Sequence, residues 1–304
     1  MKKTTLAFKL SFLLASFLSI GITAYSQGSG KDKQNSFPPF HIPNTEVRSI
    51  NSEITNINYK LYISLPRVYH QEKSKYPVIY TLDADYSFAI AHNTIEHYVD
   101  RRDLPKLIVV SIAYFGANQD LTVYRKNRMR DYTPTKAAMG VCGVGQKIKK
   151  GLGGAEKFLS FISSELIPFI ETNYRAKKQD RTIVGHSAGG LFGTYALFTK
   201  PSVFQRYILV SPSLWWDDKM IFKLENNYAA GNTSLNANVF YSIGRWENPK
   251  ICPMVSQMRQ FVDKLKSRNY AGLTINSYVF PAETHNSVFP AALSRGLRVV
   301  FNNM

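Results

Sequence analysis

The stretch Arg181-Thr-Ile-Val-Gly-His-Ser-Ala-Gly-Gly-Leu-Phe-Gly-Thr-Tyr-Ala-Leu-Phe198 decides the fold. Arg181 to Val184 reads as a buried strand, Gly185-His186-Ser187-Ala188-Gly189 as a tight turn, and the apolar run that follows as a helix. A G-x-S-x-G motif in this context presents a serine on a sharp strand-to-helix bend, with its hydroxyl raised at the carboxyl edge of a sheet. The glycines are needed because side chains there would collide with the neighbouring strand or helix. The new helix also aims its unpaired N–H groups at the serine, where negative charge would develop. A bare G-x-S-x-G arises by chance in roughly 0.1 of chains this long, so the strand before it and the helix after it carry the weight.

A serine hydroxyl needs a base, and in this arrangement the chain order is nucleophile, acid, histidine. Of the six histidines, His41, His70, His92, His97 and His186 precede Ser187, and His285 alone follows it. His285 lies in the polar loop Pro281-Ala-Glu-Thr-His-Asn-Ser287, just beyond the strand expected over Leu273 to Phe280. Glu247, in Gly244-Arg-Trp-Glu247 past the strand expected over Asn238 to Ile243, is the favoured acid. Asp217 and Asp218 are the alternatives. An oxyanion needs two N–H donors. The backbone of Ala188 supplies one, and the loop after the run Pro77 to Leu82 should supply the other, through Ala84 or Asp85.

Working outward, Pro77-Val-Ile-Tyr-Thr-Leu82 and Leu107-Ile-Val-Val-Ser-Ile-Ala113 are uninterrupted apolar runs, as expected of strands buried on both faces. A helix is expected from about Phe88 to Tyr98 between them. Ile54, Ile57, Tyr59, Leu61 and Ile63 show partial period-two spacing, which predicts an earlier half-buried antiparallel strand ending at Pro66. The segment 114–154 is too long for a simple loop. Ala155 to Tyr174 reads as an amphipathic helix bent at Pro168. Beyond it, strands and helices alternate over Arg181–Val184, Ser187–Thr199, Arg206–Val210, Asn238–Ile243, Cys252–Arg268, Leu273–Phe280 and Ser287–Asn302. Such alternation predicts one α/β domain over residues 45–304, with a mainly parallel central sheet and helices on both faces.

Tyr80-Thr-Leu-Asp-Ala-Asp-Tyr86, Arg130-Asp-Tyr-Thr-Pro134, Gly185-His-Ser-Ala-Gly-Gly190, Ser211-Pro-Ser-Leu-Trp-Trp216 and His285-Asn-Ser-Val288 together resemble the esterase D (putative esterase) branch of the α/β-hydrolases, which includes the bacterial siderophore esterases of the enterochelin type. The resemblance implies the α/β-hydrolase fold and ester hydrolysis without metal or cofactor. It also implies that Ser187 and His285 take part in the reaction, and that Arg130 and Trp215 or Trp216 border the substrate pocket. Some siderophore esterases are described as Ser–His dyads without a firm acid. Other members act on acylated polysaccharides or thioesters, or transfer acyl groups, so the family leaves the substrate open between a siderophore lactone and an acylated glycan. An acyltransferase using the same serine and a non-catalytic ligand-binding relative are the competing readings.

Lys2 and Lys3 precede the apolar run Leu10 to Ile22, which ends in Ala24-Tyr-Ser26, the pattern of a signal peptide cut before Gln27. Export to the periplasm or beyond is therefore expected, with no stable membrane span once the leader is removed. Residues 27–44, rich in Gly, Ser, Asn, Lys and Pro, read as a disordered lead-in. The two cysteines, Cys142 and Cys252, are available to pair in an oxidising compartment and are too few for a thiolate zinc site. The formal net charge is +17, which favours an anionic small-molecule or glycan substrate. Nucleic acid is not expected, because no binding signature accompanies the charge. Arg125, Lys126, Arg128 and Arg130 form a basic cluster suited to an anionic substrate. Gly143 to Gly154 resembles a phosphate loop but lacks its Gly-Lys-Ser/Thr ending, and is expected to be a mobile basic loop leading into a helix.

Overall fold

The computed structural model describes residues 38–136, 142, 151–250 and 252–301. The leader expected over 1–26, most of the lead-in expected over 27–44, and the basic stretch 143–150 lie outside the described residues. Residues 38–41 belong to a separate N-terminal unit and have no regular secondary structure; the folded unit begins at Ile42.

An eight-stranded sheet organises that unit, in the order β1-β2-β4-β3-β5-β6-β7-β8. β1 (Thr45–Ser52) and β2 (Ile57–Ser64) form an antiparallel hairpin, and β2 runs antiparallel to β4 (Ile108–Tyr114). From β4 onward every pairing is parallel, through β3 (Tyr76–Thr81), β5 (Ala176–His186), β6 (Arg206–Val210), β7 (Ser234–Gly244) and β8 (Ala271–Phe280). β3 and β4 are buried at every position, which explains why their sequences show no polar alternation.

Side chains alternate between two separate cores on the two faces. Ile183, Tyr207, Leu209, Val78 and Tyr80 point into the larger one, while Val184, Ile208, Val210 and Ile79 point into the smaller. The smaller core is closed by α1 (Ala84–Asp100), through Ala91 and Ile95, and by α8 (Phe289–Phe301), through Ala292, Leu293 and Leu297. The larger is covered by α2 (Leu121–Tyr132), α3 (Ala155–Phe161), α4 (Ile167–Asn173), α5 (Ala188–Thr199), α6 (Trp216–Gly231) and α7 (Met254–Ser267). The chain thus has the expected α/β-hydrolase layering.

Several boundaries differ from the sequence reading for identifiable reasons. Ile54 lies in the β1–β2 turn, so one expected strand is really a hairpin. The single helix expected over Ala155 to Tyr174 is divided by a π-helical turn, Ile162–Leu166, immediately before Pro168. Proline lacks the N–H and crowds the carbonyl four residues earlier, and the widened turn relieves both. α6 was not anticipated at all. Its core-facing Glu225 is fully buried and held by Arg268, Lys264 and Tyr270, so a charge stands where a helical pattern would show an apolar residue. Cys142 and Cys252 form a disulfide that closes a sequence separation of 110 residues. Among the described residues no helix is long and apolar enough to cross a membrane.

Candidate active site

β5 delivers Gly185 and His186 to the carboxyl edge of the sheet, and α5 starts at Ala188. Ser187, between them, has φ 61° and ψ −117°, outside the small left-handed well that L-residues tolerate. Surrounding bonds hold it there: its N–H donates to the Val210 carbonyl at 2.9 Å, and its carbonyl accepts from Leu191 at 3.0 Å and Ser213 at 3.1 Å. A Cβ at position 185 would lie 2.3 Å from the Gly189 carbonyl oxygen, so the strand and helix approach this closely only because residue 185 is glycine.

His285 arrives from the loop after β8. Its Nε2 lies 2.9 Å from Ser187 Oγ, and its Nδ1 lies 2.5 Å from Glu247 Oε2. Glu247 is 5% exposed. Its second oxygen, Oε1, accepts from Ser211 Oγ at 2.7 Å and from the Gly244 N–H at 2.8 Å. Burial alone would raise this carboxyl; the donors from His285, Ser211 and Gly244 outweigh it and hold the group below the ordinary carboxylate value. The turn carrying Glu247 is stitched to the loop carrying His285, because Arg245 N–H donates to Phe280 O at 2.8 Å and Trp246 N–H to Glu283 O at 3.1 Å. Gly244 permits this approach, since a Cβ there would meet the Glu283 carbonyl oxygen at 2.4 Å. Ser187, His285 and Glu247 therefore form one hydrogen-bonded chain. The alternatives Asp217 and Asp218 are exposed, Asp218 pairing with Lys223.

On the far side of the serine, α1 begins at Ala84, so Ala84 and Asp85 stand in a helical first turn where a loop was expected. Asp83 precedes them in the left-handed conformation, φ 57° and ψ 50°, and its N–H donates to Tyr132 Oη at 3.2 Å. Burial raises the Asp85 carboxyl, and the Lys60 ammonium and the Tyr62 hydroxyl partly offset the rise. Ala188 opens α5 beside Ser187.

The basic cluster is arranged differently from the reading of it as a substrate contact. The Arg130 guanidinium forks onto Asp131 at 2.7 and 2.9 Å and donates to Asn127 at 2.7 Å, because Asp131 is buried and needs a cation. Arg128 forks onto Asp83 at 2.8 and 3.0 Å. Arg125 and Lys126 are exposed. Trp216 does not border a pocket: it is 1% exposed in the core, its Nε1 donating to Thr135 Oγ1 at 2.9 Å. Trp215 is half-buried against that core. The sequence reading also passed over His186, whose ring centroid lies 4.6 Å from that of His285. Burial, the nearby His285 and Arg128 pull it down to about 4, so it is neutral near pH 7. Among the described residues no group of three or more His, Cys, Asp and Glu side chains is placed to hold a metal ion.

Residues 52–295 match the family model described as "Putative esterase". The chain belongs to that family. It is 32% identical over 265 residues to the ferri-bacillibactin esterase BesA of Bacillus subtilis, spanning 85% of this chain and 90% of that protein. Among solved structures, an IroE-like serine hydrolase from Shewanella oneidensis superposes with a TM-score of 0.76 at 29% identity, over 85% of this chain and 80% of that one. The BES protein from Bacillus cereus gives 0.74 at 29% identity, over 87% and 97%. This member of the Putative esterase family is a carboxylic ester hydrolase with the α/β-hydrolase fold.

Proposed function

We propose that the chain is an exported serine esterase that opens ester bonds of a siderophore through an acyl-enzyme on Ser187. The observation that carries this reading is the unbroken sequence of hydrogen bonds from Ser187 Oγ through His285 to Glu247. His285 Nε2 takes the Oγ proton as Oγ attacks the ester carbonyl, and the ionised Glu247 stabilises the imidazolium that results. The N–H groups of Ala188 and of Ala84 or Asp85 hold the oxyanion, since the Asp83 N–H is committed to Tyr132. His285 then protonates the leaving alkoxide. Water then attacks the acyl-enzyme as His285 takes its proton, and His285 returns that proton to Ser187 Oγ as the carboxylic acid leaves.

A siderophore is favoured over a glycan ester because relatives named for siderophore hydrolysis align along most of the chain. The net charge of +17, which becomes +14 once Lys2, Lys3 and Lys9 leave with the leader, would draw in an anionic ferric complex. Export is supported by the leader pattern and by the Cys142–Cys252 disulfide, a bond that persists in oxidising compartments. The test is hydrolysis by purified protein of ferric and iron-free trilactone siderophores, beside acetylated and feruloylated sugars. Trilactone opening is expected, in protein that begins at Gln27 when isolated from cells. Cleavage of the sugar esters alone would overturn the substrate assignment, and a retained leader would overturn export.

A further inference from the structure

The N–H groups proposed above as oxyanion donors belong to different elements, Ala84 or Asp85 in the first turn of α1 and Ala188 at the start of α5. Their spacing must be fixed to a fraction of an ångström for both to meet one oxygen. Arg128, on α2, touches the turns that carry both. Its Nε donates to Asp83 Oδ1 at 2.8 Å and its Nη2 to Asp83 Oδ2 at 3.0 Å, while the same Nη2 makes a longer contact, 3.4 Å, with the His186 carbonyl. Asp83 directly precedes Ala84, and His186 directly precedes Ser187. Asp83 sits in a left-handed conformation that a non-glycine residue keeps only when its surroundings impose it. Tyr132, from the same helix as Arg128, holds the Asp83 N–H.

The guanidinium is itself immobilised. Its carbon lies 5.5 Å from the Tyr124 ring centroid and 5.4 Å from that of Tyr132. The side chains of Arg128 and Asp83 are only 13% and 9% exposed, so water competes weakly for the fork. We infer that Arg128 is a positioning residue, bracing the two halves of the oxyanion pocket through the Asp83 carboxylate on one side and the His186 carbonyl on the other. The inference rests on the esterase reading above. Arginine suits the task because its planar fork delivers two donors in fixed geometry to a carboxylate, with a third direction left for the carbonyl; lysine supplies a charge without that geometry.

The test uses an uncharged p-nitrophenyl ester, so that substrate charge plays no part. Wild type, Arg128→Ala, Arg128→Lys, Ser187→Ala and the exposed-residue control Arg259→Ala on α7 are compared by kcat, KM and thermal unfolding. Loss of one oxyanion donor costs on the order of 10²-fold in kcat. Arg128→Ala should therefore lose about that much kcat with KM changed by less than about twofold. Millimolar guanidinium should restore part of the rate, and Arg259→Ala should match wild type. If Arg128→Ala does not fold, Arg128→Lys carries the test, with kcat reduced about tenfold at unchanged KM. Unchanged kcat with a raised KM in a folded variant would overturn the brace and make Arg128 a substrate contact. Loss that follows the folded fraction and resists guanidinium would overturn it too. Turnover retained in Ser187→Ala would instead strike the esterase reading, so the two failures are distinguishable.

Discussion

Glu247 spends one oxygen on the protein and the other on His285. Oε1 is occupied by two donors, Ser211 Oγ and the Gly244 N–H, which leaves Oε2 alone to face the imidazole. In Glu247→Gln the same two donors will keep the amide oxygen and turn the NH2 group toward His285 Nδ1. Nδ1 must then accept, the ring proton moves to Nε2, and Nε2 no longer receives the Ser187 proton. The expected outcome is a folded protein with kcat reduced by about 10⁴ and KM little altered, measured by steady-state kinetics on a small ester. Activity near that of wild type would show that the serine and histidine work as a dyad. At this scale the sequence went far: Ser187 follows from its motif, His285 from chain order, and Glu247 from its place after β7. The pairing of Arg128 with Asp83 escaped it because an ion pair spanning 45 residues leaves no periodic trace, and Arg128 and Arg130, two positions apart on α2, turn to different acids.

Elements were legible where burial is uniform and illegible where polar groups are buried or conformation is unusual. β3, β4 and β6 were read closely because hydrophobic side chains fill both of their faces. β5 is longer than expected because Lys177, Lys178 and Gln179 extend it as an exposed start, which no apolar pattern marks. α1 begins at Ala84 instead of near Phe88, since a left-handed Asp83 allows the helix to start directly after the strand. α6 combines a buried Glu225 with left-handed backbone at Asp217, Asp218 and Lys219, and either feature alone obscures a helical signature. At the carboxyl edge Asp83, Ser187 and Ser211 all have positive φ. Local preference yields there to the placement of the reacting groups.

Across the whole molecule, the parallel sheet gathers the ends of β3, β5, β6, β7 and β8 on one edge, so residues as distant in sequence as Asp83 and His285 surround one serine. Burying His186 there ties stability to pH. Its folded value near 4 lies below the ordinary 6.5, so between those values the unfolded chain binds a proton that the folded one refuses. Stability must fall as pH drops from 6.5 to 4, by about 3 kcal/mol in total. Glu247, held low, is lost in the same direction on acidification. Chemical unfolding at pH 7.5 and 4.5 should show that His186→Phe shrinks the difference by about 2–3 kcal/mol; an unchanged difference would remove His186 from the account.

The most direct test of the central claim is peptide mapping after treatment with a fluorophosphonate, which reacts with an activated serine and keeps the adduct. A single adduct on Ser187 is expected, formed in step with loss of ester turnover and absent from His285→Ala. Full turnover with Ser187 unmodified, or an adduct on another serine that tracks inactivation, would contradict the assignment of the nucleophile.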